Sequence, residues 1–122
     1  MKTIGKRNEA IKEAYNKGYR VSDCGTKVQY QGRERKLQTV ITLGKPYHRF
    51  SVCYEGKATN IMVHRLQAYQ KYKGRTFKES LVVRHKNDNS LDNSKKNILL
   101  GTLQDNSKDR YRNQYKKHQA PF

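Results

Sequence analysis

The stretch from Leu81 to Arg110, LVVRHKNDNSLDNSKKNILLGTLQDNSKDR, constrains this chain more than any other part of it. An apolar run ends in His85, and a loop of Asn, Asp, Ser and Lys follows. A second apolar run starts at Asn97, and a polar helical pattern then carries Asn106 in its opening turns. Leu81, Val82 and Val83 read as a buried strand that delivers His85 to its end. Residues 86–95 hold a single leucine among turn formers, whose side chains bond back to local backbone and stiffen the loop. Asn97 opens the second strand, Ile98–Leu100, and Gly101 breaks it. Thr102 followed by Asp105 makes a capping-box pattern. On the helix so started, Asn106, Asp109 and Arg110 lie one turn apart, so His85 and Asn106 face each other across the hairpin.

Charge sets the second constraint. The chain has 122 residues, enough for one compact domain with a modest core, and 34% of them are hydrophobic. Lys and Arg number 27 against 10 Asp and Glu, a formal charge of +17, and mean hydropathy is -1.13. So much like charge on a small domain repels itself, and polyphosphate is the natural partner that relieves it. An anionic membrane surface is the competing partner. It asks for a basic helix with a broad apolar face or a lipidation signal, and neither is present. The first residues, MKTIGKRNEAIKEAYNKGY, lack the apolar core of a signal peptide, and no run reaches membrane-spanning length. These features predict a cytoplasmic protein. Cys24 and Cys53 show neither CxxC nor zinc-finger spacing and read as two partly buried thiols.

Before the motif, residues 7–17 suit a short helix stopped by Gly18. Tyr19–Ser22, Lys27–Gln31, Gln38–Leu43 and His48–Tyr54 are strand candidates separated by glycine turns, which predicts a small antiparallel sheet. The GRERK segment reads as a turn or a solvated hairpin tip. Asn60 is a candidate cap for a helix in which Met62, Leu66 and Tyr69 recur at helical spacing, and which turns Arg65, Lys71 and Lys73 to solvent. His64 opens that helix and reads as a packing residue, while Tyr69 reads as core. Residues 1–60 are expected to form a DNA-contacting helix and sheet, 61–117 the functional core, and 118–122 a frayed tail.

The segment around His85, Asn97 and Asn106 resembles the HNH endonucleases, especially the small phage-type HNH homing endonucleases with the ββα-metal fold. The preceding IMVHRLQAYQKYKG also resembles the helix that comes before the motif in that group. The resemblance spans roughly residues 61–110. It implies an α+β fold in which a small antiparallel sheet and a helix precede the ββα-metal hairpin and its helix. It implies metal-dependent hydrolysis of DNA phosphodiester bonds, leaving 5′-phosphate and 3′-hydroxyl ends. His85 would be the general base, Asn106 the ligand of one Mg²⁺ or Mn²⁺ ion, and Asn97 the residue that braces the loop. The cation would sit on the scissile phosphate and the leaving 3′ oxygen. Neutral histidine suits a base, and the surrounding positive charge disfavours imidazolium, while bound phosphate favours it.

One position departs from the family. Many members carry Asp directly before the histidine as a second metal ligand, and here that residue is Arg84. Three arrangements accommodate the change. Asn106 is the only protein ligand, as in the related His-Cys box nucleases. Or Asp88, Asp105 or Asp109 supplies the carboxylate. Or metal is lost and the protein binds DNA without cutting. The first fits Mg²⁺, which keeps most of its waters, and it frees Arg84 to grip a phosphate. Arg110, Arg65, Lys71, Lys73, Arg33, Arg35 and Lys36 are candidate contacts to double-stranded DNA, alongside Lys6 and Arg7. One site per chain makes a nicking monomer the simplest expectation; double-strand cutting needs a homodimer or two successive nicks. The rival classes are a degenerate, non-catalytic binder with the same fold and a small RNA-binding protein. The second gives no reason for the three anchors at their spacings.

Overall fold

The structure, a computed structural model, describes residues 5–102. Helix α1 (Lys6–Lys17) turns Ala10, Ile11 and Ala14 inward and ends at Gly18. Gly18 adopts φ 114, a left-handed cap that suits glycine and lets the Gly18 and Tyr19 amides reach the Tyr15 and Ala14 carbonyls. Three short antiparallel strands follow: β1 (Arg20–Val21), β2 (Val28–Tyr30) and β3 (Arg33–Arg35). A second antiparallel sheet holds β4 (Gln38–Thr42), the long β5 (Lys45–Tyr54) and β6 (Lys57–Met62). Helix α2 (Val63–Tyr72) runs into a 3₁₀ turn (Lys73–Phe77). The described chain closes with the two-stranded hairpin β7 (Val82–His85) and β8 (Ile98–Gly101). This is an α+β fold of small antiparallel sheets and helices.

Helix α2 is the hub. Val63, Leu66 and Tyr69 are buried in one cluster with Ile11 and Ala14 of α1, Val21 and Val28 of the first sheet, and Phe50 and Ile61 of the second. Tyrosines supply much of the remaining apolar surface. Tyr19 stacks between Tyr30 and Phe50, with ring centroids 4.0 and 5.8 Å away, and Tyr69 packs on Tyr15 and Phe77. The β7–β8 hairpin adds a fully buried Ile98.

Three sequence expectations need correction. Asn60 does not cap α2. It lies inside β6, paired with Ser51, whose hydroxyl donates to the Asn60 side-chain oxygen at 2.8 Å. The ladder with β5 keeps the backbone extended to Met62, so a non-local pairing overrides a local capping preference. GRERK is not only a tip: the chain turns at Gln31–Gly32, both at positive φ, and Arg33–Arg35 pair back onto β2. Cys24 and Cys53 are exposed rather than partly buried. The strands expected at Tyr19–Ser22, Lys27–Gln31, Gln38–Leu43 and His48–Tyr54 appear as Arg20–Val21, Val28–Tyr30, Gln38–Thr42 and Lys45–Tyr54, divided between two sheets rather than joined in one.

The first sheet meets the motif loop at one point of very close approach. Gly25, at φ +77, packs its Cα against the Asn93 carbonyl and the Ser94 amide, where a Cβ would overlap backbone. Beside it the Lys95 amide donates to the Asp23 carbonyl at 2.8 Å. Gly25→Ala adds both left-handed strain and a backbone clash, and it is expected to lower unfolding stability by at least about 2 kcal/mol in urea denaturation.

Candidate active site

His85 sits at the end of β7, buried, opposite Ile98 of β8. The 86–97 loop leaves and returns beside it. Asn97 holds the two ends of that loop together. Its amide nitrogen donates to the Asn87 side chain at 3.0 Å and to the Asp92 carbonyl at 2.8 Å, and its oxygen accepts the Asn87 backbone amide at 3.1 Å. The Asn97 carbonyl takes the Lys86 amide at 2.9 Å. Turns capped by the Asn87, Asn89 and Asp92 side chains fill the interior of the loop, as its composition leads one to expect.

The partner that orients His85 is Asn93, which sequence reasoning missed. Asn93 is almost wholly buried, and its side-chain oxygen lies 3.1 Å from His85 Nε2. An amide oxygen only accepts, so Nε2 carries the proton and Nδ1 keeps its lone pair. Asn93 is itself fixed by Gln67 of α2, whose buried amide donates to the Asn93 and Ser22 carbonyls, each at 2.9 Å. A glutamine on the inward face of a helix between Leu66 and Ala68 was the available signal for this link.

His64, expected only to pack, stands beside His85. Their ring centroids are 5.3 Å apart, and Tyr47 covers the other neighbouring side at 5.2 Å. A polar cavity of about 70 Å³ opens here, lined by Lys45, Tyr47, His64, His85, Asp88 and Ser90 among others. Lys45 pairs with Asp88 at 3.3 Å, and Ser90 donates to the Pro46 carbonyl, so β5 is tied directly to the motif loop. Burial pushes the His85 imidazole below its ordinary value, against the opposing pull of Asn93 and Asp92. Burial lowers His64 much further, to about 3, with the charges of His85 and Arg65 adding to the effect. Both rings are therefore neutral at neutral pH.

The remaining candidates fall in different places. Asn106 and Arg110 lie outside the described residues, as do Asp105 and Asp109. Arg84 is half-buried on β7. Lys71 is half-buried rather than fully solvent-facing: its ammonium donates to the Lys95 and Ile98 carbonyls at 2.9 and 3.0 Å, clamping β8 to α2. Lys73 is tied to the Tyr15 hydroxyl at 2.7 Å and to the Gln70 carbonyl. The apolar stems of both lysines follow the helix while their heads find carbonyl or phenol oxygens at its end. Arg65 is half-buried rather than solvent-facing and donates to the Asn8 side chain. With Arg7 and Arg49 it lines a groove of about 600 Å³ between α1 and the second sheet, a groove whose lining has no acidic residue. Arg33, Arg35 and Lys36 are exposed on and after β3. Among the described residues, no group of three His, Cys, Asp or Glu is placed to hold a metal. Asp88 is the carboxylate that lines the His85 cavity. No helix among them is long and apolar enough to cross a membrane.

Residues 62–108 match a family model described as HNH endonuclease. A solved structure concerned with DNA binding and cleavage by the HNH homing endonuclease I-HmuI matches with a TM-score of 0.60 and 32% sequence identity, over 77% of this chain and 52% of that one. No curated protein matches. The matched residues 62–108 include the hairpin that delivers His85 and the loop that Asn97 braces, and over this part the chain is similar to HNH endonucleases. It spans about half the length of the I-HmuI chain, 52%.

Burial of neutral His64 makes a prediction for the fold. The unfolded ring binds a proton near 6.5 and the folded one only near 3, so the unfolded state holds more protons between these limits. Stability is full above 6.5 and falls as pH drops below it, by up to about 1.4 kcal/mol per pH unit from this residue. Urea midpoints measured from about pH 7 to about pH 4 should decline accordingly, and His64→Phe should flatten the decline.

Proposed function

We propose that this chain is a divalent-metal-dependent endonuclease that hydrolyses DNA phosphodiester bonds, with His85 as general base, Asn97 as the brace of the loop and Asn106 as metal ligand. The observation that carries the reading is the His85–Asn93 hydrogen bond, made inside an HNH hairpin. Asn93 holds the proton on Nε2. Nδ1 is then the nitrogen that accepts a proton from water as the water oxygen attacks phosphorus and the 3′ oxygen leaves. The depressed affinity of His85 for protons keeps that lone pair available at neutral pH.

The family implies a cation, and the donors near His85 suit a hard one. Asp88 offers carboxylate oxygen at the cavity, and Asn106 offers an amide oxygen from the following segment. Mg²⁺ and Mn²⁺ accept such oxygen ligands, and Mg²⁺ needs few of them from protein. Such an ion supplies charge stabilisation at the scissile phosphate.

Double-stranded DNA is the proposed substrate, and the excess of positive charge supplies most of its affinity. Arg7, Arg49 and Arg65 are the proposed contacts along the groove beside the second sheet, with Arg33, Arg35 and Lys36 continuing the basic surface. Arg84 is proposed to hold a phosphate close to His85. Lys71 and Lys73, occupied by internal carbonyls and Tyr15, are assigned to structure instead.

The test is conversion of supercoiled plasmid with Mg²⁺, Mn²⁺ or EDTA. Open circles that require metal, with His85→Ala slower by about 100- to 10,000-fold and DNA affinity retained, are the expected result. Linear product would indicate paired sites. DNA bound but uncut in every metal would overturn the enzymatic reading in favour of a degenerate HNH binder, with Arg84 at the departing position as its cause. In the cleaving enzyme, the acid limb of kcat/KM should fall below the ordinary histidine value. Replacing Arg7 and Arg49 together by Gln should make the slope of log binding constant against log salt shallower by about two.

A further inference from the structure

His64 is a polar residue at the centre of the site whose ring nitrogen has no visible task. Its Nδ1 is buried and has no hydrogen-bond partner in the structure. Buried polar nitrogens in native proteins are nearly always paired, and where no protein group reaches them the partner is an ordered water. The cavity that His64 lines is polar, and about 70 Å³ is room for about two waters at the volume each takes in the liquid. Lys45, Tyr47, Asp88 and Ser90 bring further donors and acceptors to it. The His64 and His85 rings, in contact with centroids 5.3 Å apart, both line this one small cavity.

We propose that this cavity is a water site built around His64, and that the water it holds is the one His85 deprotonates. The second half rests on the nuclease reading above. A water has two protons. Donating one to His64 Nδ1 fixes the molecule and turns the other toward the His85 ring. His85 takes that second proton, the oxygen forms its bond to phosphorus, and the bond from phosphorus to the 3′ oxygen breaks. The proton facing His64 stays on the oxygen. His64 is thus a positioning residue. Its role requires a neutral ring, and its burial supplies one.

Two measurements on the full chain test this. The first is single-turnover plasmid cleavage at saturating protein, with DNA affinity and melting temperature recorded for each variant. His64→Phe fills the ring volume without the nitrogen and is expected to slow cleavage about 10- to 100-fold, with affinity within about twofold of the unmodified chain. His64→Asn returns an amide atom near the Nδ1 position and is expected to recover part of that rate. A His64→Phe variant that cuts like the unmodified chain overturns the positioning role. So does a loss of rate and affinity in equal proportion, or equal rates for the Phe and Asn variants. The second measurement is a high-resolution crystal structure of the unmodified chain. A water within hydrogen-bond distance of both His64 Nδ1 and the His85 ring is expected, and a dry cavity overturns the whole proposal. If the unmodified chain cuts no DNA while that water is present, the nuclease reading fails and the water site stands without its role as nucleophile.

Discussion

The side chain of Gln67 is the contact on which the rest of this structure depends. It lies in the middle of α2, 1% exposed, where an unpaired amide would be strongly destabilising. Its two donated hydrogen bonds go to Ser22 of the first sheet's turn and to Asn93 of the motif loop. Gln70 returns a bond to the Gln67 oxygen and also exchanges bonds with the Val21 backbone. One helix face therefore joins an N-terminal turn to a C-terminal loop. His85 is oriented at the end of this series, because Asn93 can hold the imidazole only if its own backbone is held. Gly25 permits the arrangement by leaving room for the Asn93 carbonyl.

The electrostatics run in two directions. The chain as a whole carries +17, yet the two rings of the candidate site, His64 and His85, are kept neutral by burial. Removing the site from water favours the uncharged imidazole that a base requires, and the surrounding positive charge adds to the effect. The same burial makes the pair a liability in acid, where the unfolded chain gains protons that the folded one refuses. Function and acid stability are thus set against each other by one feature of the fold.

Not all of the positive charge is available for a partner. Lys71, half-buried, donates to carbonyls of the loop and β8, the exposed Lys73 bonds to Tyr15 and Gln70, and Lys45 is held by Asp88 beside the cavity. Among the described residues, Arg7, Arg49 and Arg65 line one groove and Arg33, Arg35 and Lys36 are exposed on and after β3. Burial lowers the Arg65 guanidinium from its ordinary value and the nearby charge of Arg7 adds to the effect, with no acidic residue lining the groove. Guanidinium groups gathered in this way suit anionic groups such as phosphate or carboxylate.

Read alone, the amino-acid sequence determined the motif and much of the local structure. Val82 and Val83 made a strand that ends at His85, half-buried rather than buried and starting after Leu81, the Asn/Asp/Ser run made a self-bonded loop, and the glycines marked the turns, because these are short-range preferences of backbone and side chain. His85 and Asn97 were legible for the same reason, and the fold class followed from them. Only the tertiary structure decided that Asn93 orients His85, that Gln67 supports Asn93, and that His64 faces His85 rather than merely packing. Gln67–Asn93 and His64–His85 join separate segments of the chain, while His85–Asn93 depends on how one loop folds back on its strand, and such contacts leave no periodic trace in sequence. Asn60 shows the same principle in reverse: a good helix cap by local rule, it was drawn into β6 by pairing with β5. Side-chain chemistry is local and can be read along the chain, whereas which lysine is exposed and which histidine has a neighbour is settled only when distant surfaces are packed together.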